Sequence, residues 1–193
     1  MLRTIVPILG LTLLFAPSTA QAQNRLSFEF RPGVAVATQD LADASLGTGF
    51  GFEGTIGYRF LPHLAVYGGW DWHRFTSDAS FAGNNVDFEE TGYAFGLRFQ
   101  HPVGGSEAID VRLSGGGTYN HIEIEGSDGE LIVDSEHGLG WEAGAGLALR
   151  AGGWEVAPVV RFRSLTRDFV VGNVTTTGTL RYVTVTLGFS RSF

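Results

Sequence analysis

The sequence predicts a single all-β domain, an eight-stranded antiparallel up-and-down transmembrane β-barrel. Three observations support this prediction. Apolar and polar residues alternate with a period of two from Leu26 to the last residue, as they do in β-strands. Short and long connections between the alternating segments follow one another in turn, as in barrels that cross an outer membrane. Large apolar residues share one face of each segment, whereas Gly and single charged residues share the other.

Eight segments carry this alternation, and no helical pattern separates them. In the first, for example, Phe28 and Phe30 lie on one face and Glu29 and Arg31 on the other. The segments are 25–36, 50–60, 64–73, 90–99, 109–119, 139–150, 154–163 and 180–193.

The connections predict which end of the barrel faces which side of the membrane. Tight turns are expected at 61–63 and 151–153 and a somewhat longer connection at 101–107, where Gly or Pro occurs. Long polar segments are expected as loops at 38–48, 76–87, 123–136 and 166–178. Because the strand number is even, both chain ends lie on the short-turn, periplasmic rim. The segment 123–136 is also compatible with an extended hairpin, because apolar residues alternate on both sides of an Asp128-Gly129 turn signal.

The N-terminus has the pattern of an export signal. Arg3 precedes a short apolar run from Ile5 to Phe15, and Ala20-Gln21-Ala22 offers the small residues that a signal peptidase requires. The run is shorter than the ~18 residues that span a bilayer, so cleavage is favoured over anchoring. We expect a cleaved signal peptide at 1–22 and a barrel domain at 23–193.

Composition excludes several classes of function. Gly accounts for 28 of 193 residues, about twice its usual share. The chain has no Cys, which excludes a disulfide scaffold and a thiolate metal site. The net charge is −7 and there is no basic stretch, which argues against a nucleic-acid partner. No cofactor is expected.

A secreted, water-soluble barrel is the structural alternative, and the size of the residues on each face discriminates against it. A soluble barrel of the lipocalin type would point its large apolar residues inward. Eight strands enclose so narrow a space that side chains must fill it, which suits Gly, Ser and paired charges. Aromatic residues near strand ends predict two membrane girdles: Phe60, Phe99, Trp154 and Phe193 at the short-turn rim, and Trp70, Trp72, Tyr119 and Trp141 at the other.

Charged residues on the small-residue face are expected to point into the lumen. Both signs occur in similar number, so a structural network of ion pairs that fills the barrel is favoured over a gated ion path. The predicted set is Glu29, Arg31, Glu53, Arg59, Asp71, His73, Glu90, Arg98, Asp110, Arg112, Glu142, Arg150, Glu155, Arg161 and Arg163.

Two further groups of charges lie near the long-loop rim. Arg74 and Arg181 fall on the apolar face, where they are consistent either with contacts to lipopolysaccharide phosphates or with rim charges that reach into solvent. The second group could hold a divalent cation, but its spacing matches no calcium-loop motif and a solvated acidic loop is favoured. Its members are His121, Glu123, Glu125, Asp128, Glu130, Asp134, Glu136 and His137.

These features together resemble the small outer-membrane β-barrels of the OmpA-transmembrane-domain, OmpX and opacity-protein type, over nearly the whole mature chain. The C-terminal strand carries the most specific element, with Phe193, Phe189 and Leu187 on one face. The resemblance implies that this strand is read by the barrel-assembly machinery. Arg191 departs from the family pattern, which usually has an apolar or aromatic residue there.

The resemblance implies an integral outer-membrane protein in contact with lipid and lipopolysaccharide. We expect it to be non-enzymatic and to stabilise the envelope or to present its loops for surface interaction. A small channel for hydrophobic solutes, of the OmpW type, is the first alternative. A lipid A-modifying enzyme is the second alternative. The candidate catalytic residues for it are His121, Ser135, His137 and Glu142, but the local sequence motif of such enzymes does not surround them.

Overall fold

Strands dominate the computed structural model, which describes residues 25–106 and 108–193. The predicted signal peptide, 1–22, lies outside the described residues. Within the described part of the chain no helix is long and apolar enough to cross a bilayer. The strands are β1 (Leu26–Ala37), β2 (Thr48–Leu61), β3 (Leu64–Ser80), β4 (Gly83–Pro102), β5 (Ile109–Glu125), β6 (Leu131–Asp134), β7 (Gly138–Ala151), β8 (Trp154–Val171) and β9 (Val174–Ser192).

The strands close into a ring. Consecutive long strands pair antiparallel, and β1 pairs with β9 so that the first and last strands meet. In this closing pair Val34 lies opposite Val185, and the Phe193 N–H donates to the Leu26 carbonyl at 2.8 Å. Eight strands form the ring, and β6 is a short addition beside β5. The predicted eight-stranded antiparallel barrel is confirmed.

The predictions of two of the long loops are wrong. Segments 76–87 and 166–178 are mostly strand, because β3–β4 and β8–β9 continue as long hairpins with tight turns at 81–82 and 172–173. Most of their polar residues face outward into water, whereas Val86 and Phe169 face inward into the core. Polarity alone predicts loops there, whereas in the structure the polar residues lie on the outer face of extended strands.

The hairpin formed by β5 and β6 confirms the expected extension of the third long segment. Above Asn120, β5 leaves β7 and pairs with β6 instead, with Glu123 opposite Asp134. Gly129 closes the turn with a φ of 79°, a left-handed conformation that Gly adopts without strain. By contrast, the first long segment remains a loop and folds inward, and Leu41 and Ala44 are fully buried.

The polarity of the barrel inverts along its length. In the periplasmic two thirds the inner face is charged and the outer face is apolar and exposed. In the extracellular third the inner face is an apolar core and the outer face is polar. The core residues are Ala35, Leu41, Ala44, Phe75, Val86, Phe88, Ile122, Ile124, Val133, Leu165, Phe169, Leu180 and Tyr182. A transmembrane strand needs only about 9–11 residues, and apart from β6 the strands here have 12–20 residues, so they are long enough to extend beyond a bilayer.

Inward-facing glycines explain the high Gly content. A Cβ at Gly188 would lie 2.5 Å from Glu29 Oε1, and one at Gly96 would lie 2.8 Å from Tyr67 Oη. These positions carry no side chain because the long Glu, Arg and Tyr side chains of facing strands occupy the space. Gly therefore makes room for the charged interior.

Candidate functional site

The periplasmic part of the lumen is organised around Glu29. This carboxylate accepts from Arg98 Nη2 at 2.7 Å and from Arg112, and Arg31 Nε lies 3.9 Å away. The Glu29 side chain is 1% exposed, so its charge depends on these guanidinium groups for compensation. Three arginines thus converge on one buried carboxylate from three different strands.

The middle of the lumen is organised around Glu142 and two arginines of β8. Arg161 Nη1 lies 3.0 Å from Glu142 Oε2 and also pairs with Glu53. Arg163 Nη2 lies 2.6 Å from the same Glu142 oxygen, and its other nitrogen lies 2.7 Å from Asp71 Oδ1. Because these partners come from β2, β3, β7 and β8, the network ties opposite walls of the barrel together.

The structure brings nearly all of the predicted lumen residues into contact with one another. The remaining pairs include Arg150 with Asp110, Arg112 with Glu155, and His73 with Glu90. Arg59 is different: it is exposed at the periplasmic mouth, where it lines an open cavity of ≈ 100 Å³. Its position at the end of β2, close to a tight turn, places it beyond the filled part of the lumen.

Several residues in the described part of the lumen network are absent from the set that the charge pattern predicts. Tyr67 donates to Glu142 at 2.6 Å, Asn120 donates to Asp71 at 2.9 Å, and Tyr182 donates to Glu90. Arg167 is 4% exposed and donates to backbone carbonyls, including that of Asn120 at 2.9 Å. The alternation within 161–169 indicates that Arg167 also points into the lumen, because it shares a face with Arg163.

Space for a solute path is small. A cavity at mid-depth measures ≈ 10 Å³, about enough for one water molecule. Its lining is Arg31, Glu53, His73, Arg161, Arg163, Thr184 and Thr186. Directly above it the extracellular core is packed with apolar side chains, with Phe75 against Tyr182 at a ring separation of 5.2 Å. The lumen is therefore closed twice, once by ion pairs and once by apolar side chains.

The outer surface at membrane depth is apolar and rich in aromatic residues. Phe28, Phe50, Tyr93 and Trp141 are each more than half exposed on this face. Phe50 and Trp72 form an edge-to-face pair at 5.4 Å across β2 and β3. An exposed apolar belt of this extent is unfavourable in water and suits contact with lipid.

The two predicted rim arginines differ in their contacts. Arg74 Nη1 lies 3.0 Å from Glu89 Oε1, and the same guanidinium pairs with Asp87. Arg181 instead contacts neutral acceptors, Gln39 Oε1 at 3.2 Å and Ser164 Oγ at 3.4 Å. Carboxylates on the protein itself thus compensate the charge of Arg74, whereas Arg181 carries its charge on an exposed surface.

Acidic residues are concentrated on the outer face above the aromatic belt. The pairing of β4 with β5 places Glu89 opposite Glu123 and Asp87 opposite Glu125. Like charges opposed in this way repel. Desolvation and the nearby Glu89 carboxylate raise the pKa of Glu125 above its ordinary value. The predicted acidic loop is therefore in large part the outer face of a two-stranded extension.

The residues considered for lipid A chemistry do not assemble into a nucleophile and base. Ser135 is buried, and its hydroxyl accepts from the Ile122 N–H at 2.8 Å. His121 lies on the opposite, outer side of the strand and contacts Asp134 at 2.6 Å. Glu142 belongs to the lumen network. Ser135 and Glu142 are thus buried inside the barrel, whereas His121 lies on its outer face, so these three residues do not form a catalytic arrangement.

The C-terminal strand accommodates Arg191 at the lipid-facing rim. Its guanidinium lies over the ring of Trp154 at 5.7 Å and over that of Phe193 at 5.6 Å. Cation–π contacts of this kind stabilise a charge beside aromatic surface. The departure from the family pattern therefore leaves the aromatic character of this rim intact.

Comparisons with solved structures support the fold. Neisserial surface protein A is 14% identical, with a TM-score of 0.63 over 89% of this chain and 98% of that chain. The outer membrane protein AlkL, determined in DMPC lipid bilayers, is 17% identical, with a TM-score of 0.51 over 93% of this chain and 95% of that chain. At such low identity the likeness concerns the fold alone. No curated protein matches the sequence closely enough to count as a relative.

The family described as outer membrane protein beta-barrel domain matches residues 8–193, which is almost the entire chain. The closed ring of strands, the apolar outer belt and the charged lumen agree with that match. The chain therefore belongs to the outer membrane protein beta-barrel domain family and is a protein of the cell outer membrane.

Proposed function

We propose that this protein is a non-enzymatic, closed barrel whose membrane part anchors a folded extracellular surface. Through that surface it stabilises the envelope or interacts with external partners. The observation that carries the proposal is the double closure of the lumen, by ion pairs around Arg161 and Arg163 and by the apolar core around Phe75 and Phe88. Because the interior of the barrel is filled, binding to other molecules would use its outer surface.

The extracellular third has the properties of an interaction surface. Its hairpins share a buried core with the inward-folded loop at Leu41, so the outer polar residues are held in place. Ordered side chains lose little conformational entropy when they bind a partner. A rigid surface therefore supports recognition better than four independent mobile loops.

Contact with the outer leaflet is part of the proposal. Arg181 is exposed, lies just above the apolar belt and pairs with neutral acceptors, so a lipopolysaccharide phosphate is a suitable partner for it. Arg74 serves chiefly to hold Asp87 and Glu89. During biogenesis the barrel-assembly machinery would recognise the last strand, through Phe193, Phe189 and Leu187.

Conductance across planar bilayers tests the proposal. Refolded protein whose folding has been verified by heat-modifiable migration on a gel is expected to give no discrete current steps. Discrete steps from the folded fraction would overturn the closed-barrel proposal and favour a channel. A change in lipid A mass on expression, lost in a His121→Ala variant, would instead indicate an enzyme.

A further inference from the structure

A compact set of metal-ligand side chains lies on the outer face of the β5–β6 extension. His121 and Glu123 are two positions apart on β5 and therefore point to the same side. Asp134 on β6 lies directly opposite Glu123 in the strand register. The β5–β6 pairing holds the backbone of Glu123 and Asp134, and the β4–β5 pairing holds that of His121 opposite Thr91, so the arrangement does not depend on a flexible loop.

The distances between the candidate ligand atoms suit a single small ion. His121 Nδ1 lies 2.6 Å from Asp134 Oδ1 and 3.9 Å from Glu123 Oε1, and all three atoms fall within 4.8 Å of one another. Ligand atoms around a tetrahedral Zn²⁺ lie about 3.3 Å apart, given metal–ligand distances of about 2.0–2.1 Å. The two distances bracket that value, so small side-chain rotations are sufficient for coordination.

Electrostatics favour a cation at this position. The ion pairs of Arg74 are with Asp87 and Glu89, on the β4 side of the acidic surface. Glu123 and Asp134 both direct their carboxylates toward His121 instead. A bound divalent ion would compensate these negative charges, as guanidinium groups do inside the lumen.

We propose that His121, Glu123 and Asp134 form a binding site for a divalent transition-metal ion, with Zn²⁺ as the best match. The imidazole decides the class of ion, since Mg²⁺ and Ca²⁺ prefer oxygen ligands alone whereas Zn²⁺ binds nitrogen and oxygen. Three protein ligands leave a coordination position open to water or to an external ligand. The site lies immediately above Tyr119, at the upper edge of the aromatic belt.

His137 acts as a positioning residue for this site. Its ring stacks on that of His121 with a centroid distance of 4.2 Å and an interplanar angle of 16°. It also contacts Tyr119 at 5.3 Å. The stack holds the His121 imidazole in the orientation that points Nδ1 at the carboxylates, which reduces the reorganisation needed for binding.

Titration calorimetry with ZnCl₂ on the folded protein in detergent micelles tests the site. One saturable site is expected, and His121→Ala should weaken binding by about tenfold or more. His63→Ala is the matched control, because His63 also packs against a second histidine, His101, at 4.6 Å on the periplasmic rim. It should leave the affinity unchanged; equal loss in both variants, or no saturable binding, would overturn the proposal.

A second pair of variants separates this site from a purely acidic one. Glu123 also lies near Glu89 and Glu125, with all three carboxylates within 4.8 Å. Asp134→Asn should weaken Zn²⁺ binding strongly, and Glu89→Gln should weaken it little. If Glu89→Gln has the larger effect, or if equimolar Mg²⁺ displaces Zn²⁺, the ion binds the carboxylates without His121 and the proposal is wrong. Heat-modifiable migration verifies that each variant is folded.

Discussion

Asn120 and Ile122 are successive residues on the inner face of β5, and the interior of the barrel changes from polar to apolar between them. Asn120 donates to Asp71 in the ion network, whereas Ile122 is fully buried in the extracellular core. On the outer face the order is reversed, from exposed Tyr119 to His121 and Glu123. Both changes occur at one level, which marks the outer surface of the bilayer.

An arginine scan along β8 tests the position of that boundary. Val160 and Val170 lie on the same outer face, 51% and 58% exposed. Val160 lies six residues above the periplasmic rim residue Trp154, near the bilayer centre, whereas Val170 lies at the extracellular tip. Val160→Arg should destabilise the barrel by about 2–4 kcal/mol and Val170→Arg by about 0–1 kcal/mol. Urea unfolding in lipid vesicles measures both; equal losses would contradict the proposed boundary.

The same inversion explains what the sequence could and could not predict. Below the boundary, period-two alternation with large residues outside predicts the strands, and the predicted lumen residues from Glu29 to Arg163 join the ion-pair network except Arg59, which is exposed at the mouth. Above the boundary the period is unchanged but the polar face is outside, so polarity predicts a loop at 166–178 where the structure has β8 and β9. Periodicity reports which residues share a face, and only long-range pairing decides whether that face meets water, lipid or core.

The contacts of Arg163 predict that it is a major stabilising residue of the network. It pairs with Asp71, Glu90 and Glu142, and all four side chains are at most 2% exposed. Arg163→Met would leave buried carboxylates without compensation, at a cost of about 3–5 kcal/mol in the free energy of unfolding. Arg59→Met is the control, because Arg59 is exposed at the mouth. It should change stability by less than about 0.5 kcal/mol in the same urea titration.

The extracellular core predicts a stability effect outside the membrane. Ile124 is fully buried in that core, whereas Ile132 in the neighbouring β6 is 42% exposed. Ile124→Ala should cost about 2–5 kcal/mol, and Ile132→Ala should remain within about 0.5 kcal/mol. Limited proteolysis of the protein in vesicles should release extracellular fragments sooner in the first variant only. Equal protection of both would mean that the extracellular third is not a packed unit.

The terminal residue predicts an effect on assembly. Phe193 is 52% exposed on the lipid-facing rim and stacks under Arg191. Because the unfolded chain is in water and the folded Phe193 faces lipid, Phe193→Ala should lower the stability of the folded barrel about as much as another rim Phe→Ala change, Phe99→Ala. If the assembly machinery recognises this residue, the same variant should accumulate unfolded in the periplasm and be degraded there.

Phe99→Ala is the control, since Phe99 is 40% exposed on the same face and near the same rim. Pulse-chase labelling followed by heat-modifiable migration measures the folding rate of each variant. If Phe193→Ala folds as fast as the unmodified protein, Phe193 has no role in recognition. If both variants fold equally slowly, the aromatic girdle is responsible and not Phe193 in particular.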